Sequence, residues 1–364
     1  MTSLTARSVR PSRLLLSADA QREGWYGMLQ TAVRNGHVVK VRPGVYIDEP
    51  RWQRMTSVER YLARIHAVGA TFSNPVFARQ SAAVVHGLPL LNSRLTRIHL
   101  HQTTPRGSGR RGDVTVHAGS DDPDIVTRDG LRLTSAVRTV VDLARLLPHG
   151  EALALADAAI RPQPVTRGID GTGAPIASQA EILDALRTSC ARRGAWAAYL
   201  AISEADAASG SVGESLARSL FCRLGATRPE LQTPLWDADG LIGYADFFWR
   251  EFGVVGEFDG KLKYGADNPS GRAPEEVVYR EKLREDRIRR VTSGFVRLGW
   301  RDLDDPPRVA RLLTGAGVPL SSASAWPQLR PVVRAAAARA DSPRVRSSAQ
   351  NSVRGSRYEP STQK

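Results

Sequence analysis

Lysine is nearly missing from this chain. It occurs only at Lys40, Lys261, Lys263, Lys282 and Lys364, against 51 lysines and arginines in all. Arginine is a planar fork and lysine a compact point charge, so the two are not equivalent at a catalytic position. Three of the five lysines fall between residues 261 and 282, which asks for a reason. Cysteine is scarcer still. Cys190 and Cys222 have no metal-ligand spacing and no partner pattern, which fits a reducing, cytoplasmic setting. No run of about 18 apolar residues occurs, so no membrane span is expected. The N-terminus carries arginines but no apolar core for export. Histidine stops at His149, so the C-terminal half must do its chemistry without a histidine of its own. Phosphate-loop, nucleophile-elbow and dinucleotide motifs are absent too.

What is present is a chain of 364 residues, long enough for two or three domains, with 41% hydrophobic content and a net charge of +14. Arg7, Arg10 and Arg13 supply three of those charges, and the tail from residue 321 a net six. The arm (1–13) and the tail (321–364) are poor in large apolar residues and are expected to be disordered. Basic ends favour a polyanion but carry no specificity.

Residues 254–261, Val-Val-Gly-Glu-Phe-Asp-Gly-Lys, read as a strand with period-two alternation. One face then carries Val255, Glu257, Asp259 and Lys261, and the other Val254 and Phe258. Two acids and a lysine on one face suit a hard divalent cation better than a core. The stretch 241–249 reads as a neighbouring strand that brings Asp246, with a short hairpin connection at 251–253. The structural alternative is a solvated strand with a ladder of ion pairs.

This ordered set resembles the PD-(D/E)xK nuclease superfamily, and within it the branch related to very-short-patch-repair endonucleases, where Asp-Gly follows the strand acid. The resemblance covers roughly residues 206–315. It implies a restriction-endonuclease-like αβββαβ core with a glutamate, here Glu214, on the preceding helix. A basic helix around 280–290 and a closing strand at 294–300 would complete that core. It also implies metal-dependent phosphodiester hydrolysis. Asp246, Asp259 and Glu214 would bind Mg2+ or Mn2+, with Glu257 assisting and Lys261 beside the nucleophile. Members of that branch use histidine, and the lack of one here shifts the burden to metal-bound water. Arg280, Arg284 and Arg287 fall on one helical face and are candidates for phosphate contact, though Glu281 and Glu285 beside them also fit a charge-laced helix.

Toward the N-terminus, residues 14–54 read as a helix followed by a basic hairpin, the plan of a winged helix-turn-helix, with Arg34, Lys40 and Arg42 as DNA contacts. Residues 55–150 then form an α/β domain. The segments Ser81-Ala-Ala-x-x-His86-Gly-Leu-Pro and Thr134-Ser-x-x-Arg138-Thr-x-x-Asp142-Leu-Ala-Arg, together with the wing, resemble the antitoxin component of type IV abortive-infection (AbiE) systems. His99, His101 and His117 share a strand face and hint at zinc, but no carboxylate or cysteine completes the set. Residues 151–205 read as a helical linker with a Pro/Gly-rich loop, and 206–320 as the nuclease-like domain.

The expectation is a multidomain α/β protein of the cytoplasm, directed to DNA, with a magnesium-dependent endonuclease domain. A homodimer and a toxin or antitoxin partner protein are compatible with it. The rival is a non-catalytic regulator or antitoxin carrying a degenerate nuclease fold.

Overall fold

The computed structural model describes residues 14–91, 95–102, 109–119, 124–163, 173–189, 192–260 and 274–321, which fall within one compact unit, Met1–Trp326. They build three sheets, one in each successive region.

The N-terminal region comprises β1 (Leu15–Leu16), α1 (Ser17–Arg22), α2 (Tyr26–Arg34), β2 (Val38–Arg42), β3 (Val45–Asp48) and α3 (Glu49–Arg54). Strands β2 and β3 form an antiparallel hairpin with β1 on its far edge. Gly44 makes the turn at φ +79°, a conformation costly for any side-chain-bearing residue. Ala20, Leu29 and Tyr46 form a small core between helices and hairpin.

The second region opens with α4 (Ser57–Thr71), started by a Thr56–Glu59 capping box. It continues through β4 (Val76–Phe77), α5 (Arg79–His86), β5 (Ile98–Gln102), β6 (Gly109–Arg111), β7 (Val114–Ala118), β8 (Ile125–Arg128), β9 (Leu131–Thr134) and α6 (Ala136–Ala144). The mixed sheet has the order β6-β7-β5-β4-β9-β8. Alternation divides its faces: Phe77, Ile98, Leu100, Val114 and Leu133 pack under α4 and α5, and the other face is polar. Next come α7 (His149–Ile160), α8 (Gln179–Thr188) and α9 (Ala195–Ser203). The expected spacer is more than a tether, because these three helices bury Leu153, Leu155, Ile182 and Ile202 in a shared core with α5 and α6.

The third region contains α10 (Val212–Arg223), β10 (Glu230–Asp237), β11 (Gly240–Trp249), β12 (Val254–Asp259), α11 (Pro274–Val291), β13 (Gly294–Gly299) and α12 (Pro306–Gly315). Strands β10, β11 and β12 run as an antiparallel meander, and β13 joins β12 in parallel. Both faces are covered. Phe221, Phe247, Val254 and Leu313 fill the layer under α10 and α12, and Val255, Ala245 and Ile288 the layer under α11. Among the described residues, no helix is long and apolar enough to cross a membrane.

Candidate functional site

The site forms where β11 and β12 part. Their ladder pairs only Phe247–Trp249 with Val254–Gly256. Past it, the backbone N–H of Phe258 donates to Asp246 Oδ2 at 2.9 Å, so a carboxylate replaces the missing ladder acceptor. Phe258 is pressed against α10 at Gly213, where a Cβ would come within 2.0 Å of its ring. Only glycine permits that approach, and it brings the N-terminus of α10 to the sheet.

Glu214 sits in the first turn of α10. Ser211 caps the helix by accepting from the Glu214 N–H, and Glu214 Oε2 accepts from the Gly210 N–H at 2.7 Å. The sequence reading missed Gln232 on β10, which connects this helix to the sheet. Its Nε2 donates to Glu214 Oε2 at 3.3 Å and to Asp246 Oδ1 at 3.1 Å. Gln232 holds φ +47°, an uncommon backbone conformation for a residue with a side chain. It lies between the register pairs Leu231–Phe247 and Thr233–Ala245. The one available clue was its place opposite Asp246. Burial pushes the Glu214 carboxyl above the usual range, and the nearby charge of Asp246 adds to the effect.

Glu257 lies on the same face of β12 as Val255, and that face meets α11, where arginines approach it. Arg284 Nη2 lies 2.7 Å from Oε1, close but off the hydrogen-bonding direction, and Arg297 Nη2 lies 3.3 Å from Oε2. Burial raises the Glu257 carboxyl, and Arg284 partly opposes the shift. Arg297 also pairs with Glu285 at 2.9 Å. Arg287 makes a two-pronged contact with Asp237 at 2.7 and 2.6 Å, and Arg280 pairs with Glu276. All three candidate phosphate-binding arginines of α11 therefore have carboxylate partners within the chain.

Asp259 is half-buried at the end of β12, beside Gly299 of β13. Lys261 and Lys263 lie outside the described residues. Among the described residues, no three of His, Cys, Asp and Glu are grouped to hold a metal, so the acids come together in pairs. That statement covers the three strand histidines as well. Of these, His99 and His117 stack with near-parallel rings and share a 2.8 Å contact between Nδ1 and Nε2.

In the hairpin, Arg34 and Lys40 are exposed, and Arg34 donates to Thr31 Oγ1. Arg42 turns inward. It stacks over Phe72 and lies 3.9 Å from Asp113. A second feature missed in the sequence is a buried network that fixes α10 from below. Asp157 on α7 accepts from Arg218 Nη1 at 2.8 Å, Ser215 Oγ at 2.6 Å and the Asp206 N–H at 2.7 Å. Asp157 and Arg218 are both wholly buried.

The described chain is thus a mixed α/β protein with acids gathered at the parted strands of its third sheet. No family model matches it. It is similar to two proteins from two strains of Mycobacterium tuberculosis, each described only as uncharacterized. Each is 29% identical over 234 residues, covering 64% of this chain and 77% of the relative.

Proposed function

We propose that the protein is a DNA-directed, magnesium-dependent endonuclease whose hydrolytic site lies on the third sheet. One observation carries this reading. A helix-borne glutamate and a strand aspartate, both acids the sequence singled out, converge on one point beside β12, the strand bearing Glu257 and Asp259. The element order supports it too, with a helix, a three-stranded meander, a helix and a parallel strand in sequence. The donor set fits a hard divalent cation. Glu214 and Asp246 offer carboxylate oxygens to a shared position now spanned by the Gln232 amide, and Glu214 is held close to a like charge.

Glu214 and Asp246 would hold Mg2+ or Mn2+, and Asp259 is assigned to the same ion on the resemblance alone. Such an ion lowers the pKa of a bound water and shields phosphate charge. The chain itself orients the acids: Gly210 fixes Glu214, Phe258 fixes Asp246, and Gln232 sets their separation. Lys261 is assigned beside the nucleophile on the resemblance alone.

The test is plasmid nicking in magnesium against chelator. Asp246→Asn and Asp259→Asn should abolish nicking, and Lys261→Arg should lower it at least ~100-fold because catalytic geometry tolerates errors of only about 0.5 Å. Metal-independent nicking, or nicking that survives Asp246→Asn, would sink the assignment. A second reading, a non-catalytic regulator with a degenerate nuclease fold, draws on Glu257. Arg284 and Arg297 already neutralise it, as in a site kept for structure.

A further inference from the structure

Arginines are distributed unevenly between partners and solvent in this molecule. On α11 they face carboxylates. On the six-stranded sheet they do not. Two cross-strand rows run over its polar face. In the first, Arg110 on β6 is level with Thr115 on β7, and Thr115 with His99 on β5. In the second, His117 is level with His101, then Val76 on β4, then Arg132 on β9 and Thr127 on β8. Arg97, two residues before His99, belongs to the same face. Neither row contains an aspartate or a glutamate. Among the described residues no ion pair involves Arg97, Arg110 or Arg132, although all three are half-buried or exposed.

We propose that this face is a nucleic-acid surface, with Arg97, Arg110 and Arg132 taking consecutive parts of a phosphodiester backbone. The proposal takes its ligand from the DNA-directed reading above and is independent of cleavage. Width argues for a polymer. Arg110 and Arg132 lie four strand intervals apart, roughly 19 Å at the usual spacing, too far for one phosphate group to bridge. Preorganisation argues for an anion. Arg97 Nε donates to Thr115 Oγ1 at 2.7 Å and Nη2 to the Val114 carbonyl at 2.9 Å, which fixes the guanidinium and leaves further N–H donors for a ligand. The histidines supply no charge of their own, so the attraction on this face comes from the arginines. Burial, with the charges of Arg79 and Arg97, brings His99 down to about 4, and burial with Arg79 brings His117 to about 3, so both are neutral near pH 7. A cation would meet the same arginines and be repelled.

The experiment uses the full-length protein in chelator and a fluorescein-labelled DNA duplex, with anisotropy followed across a salt series. Arg110→Gln/Arg132→Gln should weaken binding about tenfold or more. It should also flatten the slope of log K against log salt by about 1.8, since each lost phosphate contact removes about 0.9. Arg110→Gln alone, on an exposed edge strand, should flatten it by about half as much. Unchanged melting temperatures establish that these variants fold. Arg187→Gln on α8 is the charge control and should leave the slope unchanged. A double variant with wild-type slope, or one no weaker than Arg187→Gln, overturns the proposal. So does a wild type that binds no DNA at low salt, or one that prefers phosphatidylserine vesicles to DNA. Binding that shows the predicted slope change without magnesium-dependent nicking upholds this surface and sinks only the nuclease reading.

Discussion

The third sheet and the second sheet use the same residue type for opposite ends. On the third, Arg284, Arg287 and Arg297 are met by Glu257, Asp237 and Glu285, so they close the fold. On the second, Arg97, Arg110 and Arg132 share their face with histidine, threonine and valine. A count of basic residues would rank α11 as the better DNA surface. Counting partners reverses the ranking, because a guanidinium already paired to carboxylate has little to gain from phosphate.

The comparison is broken most severely at Arg218. Arg218→Leu removes the guanidinium that faces the buried Asp157, whose carboxyl burial already raises, and breaking this buried pair should cost about 3–5 kcal/mol. Urea denaturation should show that loss, with DNA binding by the remaining folded fraction unchanged. If stability falls by less than ~1 kcal/mol, the buried pair does not anchor α10.

A smaller effect is expected at Glu214. Its pKa is raised in the fold, so its neutral form is favoured there. That contribution is complete at pH values below the ordinary carboxylate pKa of about 4.3 and is lost as pH rises through the raised value. In chelator at neutral pH, Glu214→Gln should therefore melt higher than wild type and vary less with pH. Millimolar magnesium should stabilise wild type more than the variant. Melting curves in which the variant and wild type respond alike would remove Glu214 from the proposed cation site.

Arg287→Gln sharpens the contrast in the other direction. It should lower the melting temperature slightly through loss of the Asp237 contact and leave the salt slope of DNA binding intact. A reduced slope would move α11 back into the proposed DNA surface.

The smallest effect concerns the histidine pair. His99 and His117 resist protonation in the fold but titrate near 6.5 when unfolded. Their contribution to stability is thus lost as pH falls from about 6.5 toward about 4 and about 3. His99→Gln/His117→Gln should reduce acid sensitivity in that window while DNA binding at pH 7.5 persists. Unaltered acid unfolding would mean that the pair is protonated in the fold.

Much of the third region was legible in advance. The closing strand expected at 294–300 forms over Gly294–Gly299, and the basic helix expected around 280–290 extends over Pro274–Val291. Val255 and Glu257 share a face as alternation requires, with Val254 and Phe258 opposite. These are consequences of short-range periodicity, 2.0 residues in a strand and 3.6 in a helix, which the chain carries in any context. Partnership is a different quantity. The Arg280, Arg284 and Arg287 stripe was visible, but the Arg284 partner Glu257 comes from β12, and Asp237 lies 50 residues before Arg287.

The sequence by itself determined which residues share a face: the acids of β12, the arginines of α11 and the histidines of β5 and β7. Only the tertiary structure decided what each face meets. Gln232 reaches both Glu214 and Asp246 because β10 turns through a left-handed residue beside the N-terminus of α10. Arg42 leaves the hairpin surface for Phe72 because α4 ends beneath it. Both outcomes depend on where distant segments cross. Electrostatic and hydrogen-bond partners are set by distance in space, and no local pattern along the chain encodes that distance.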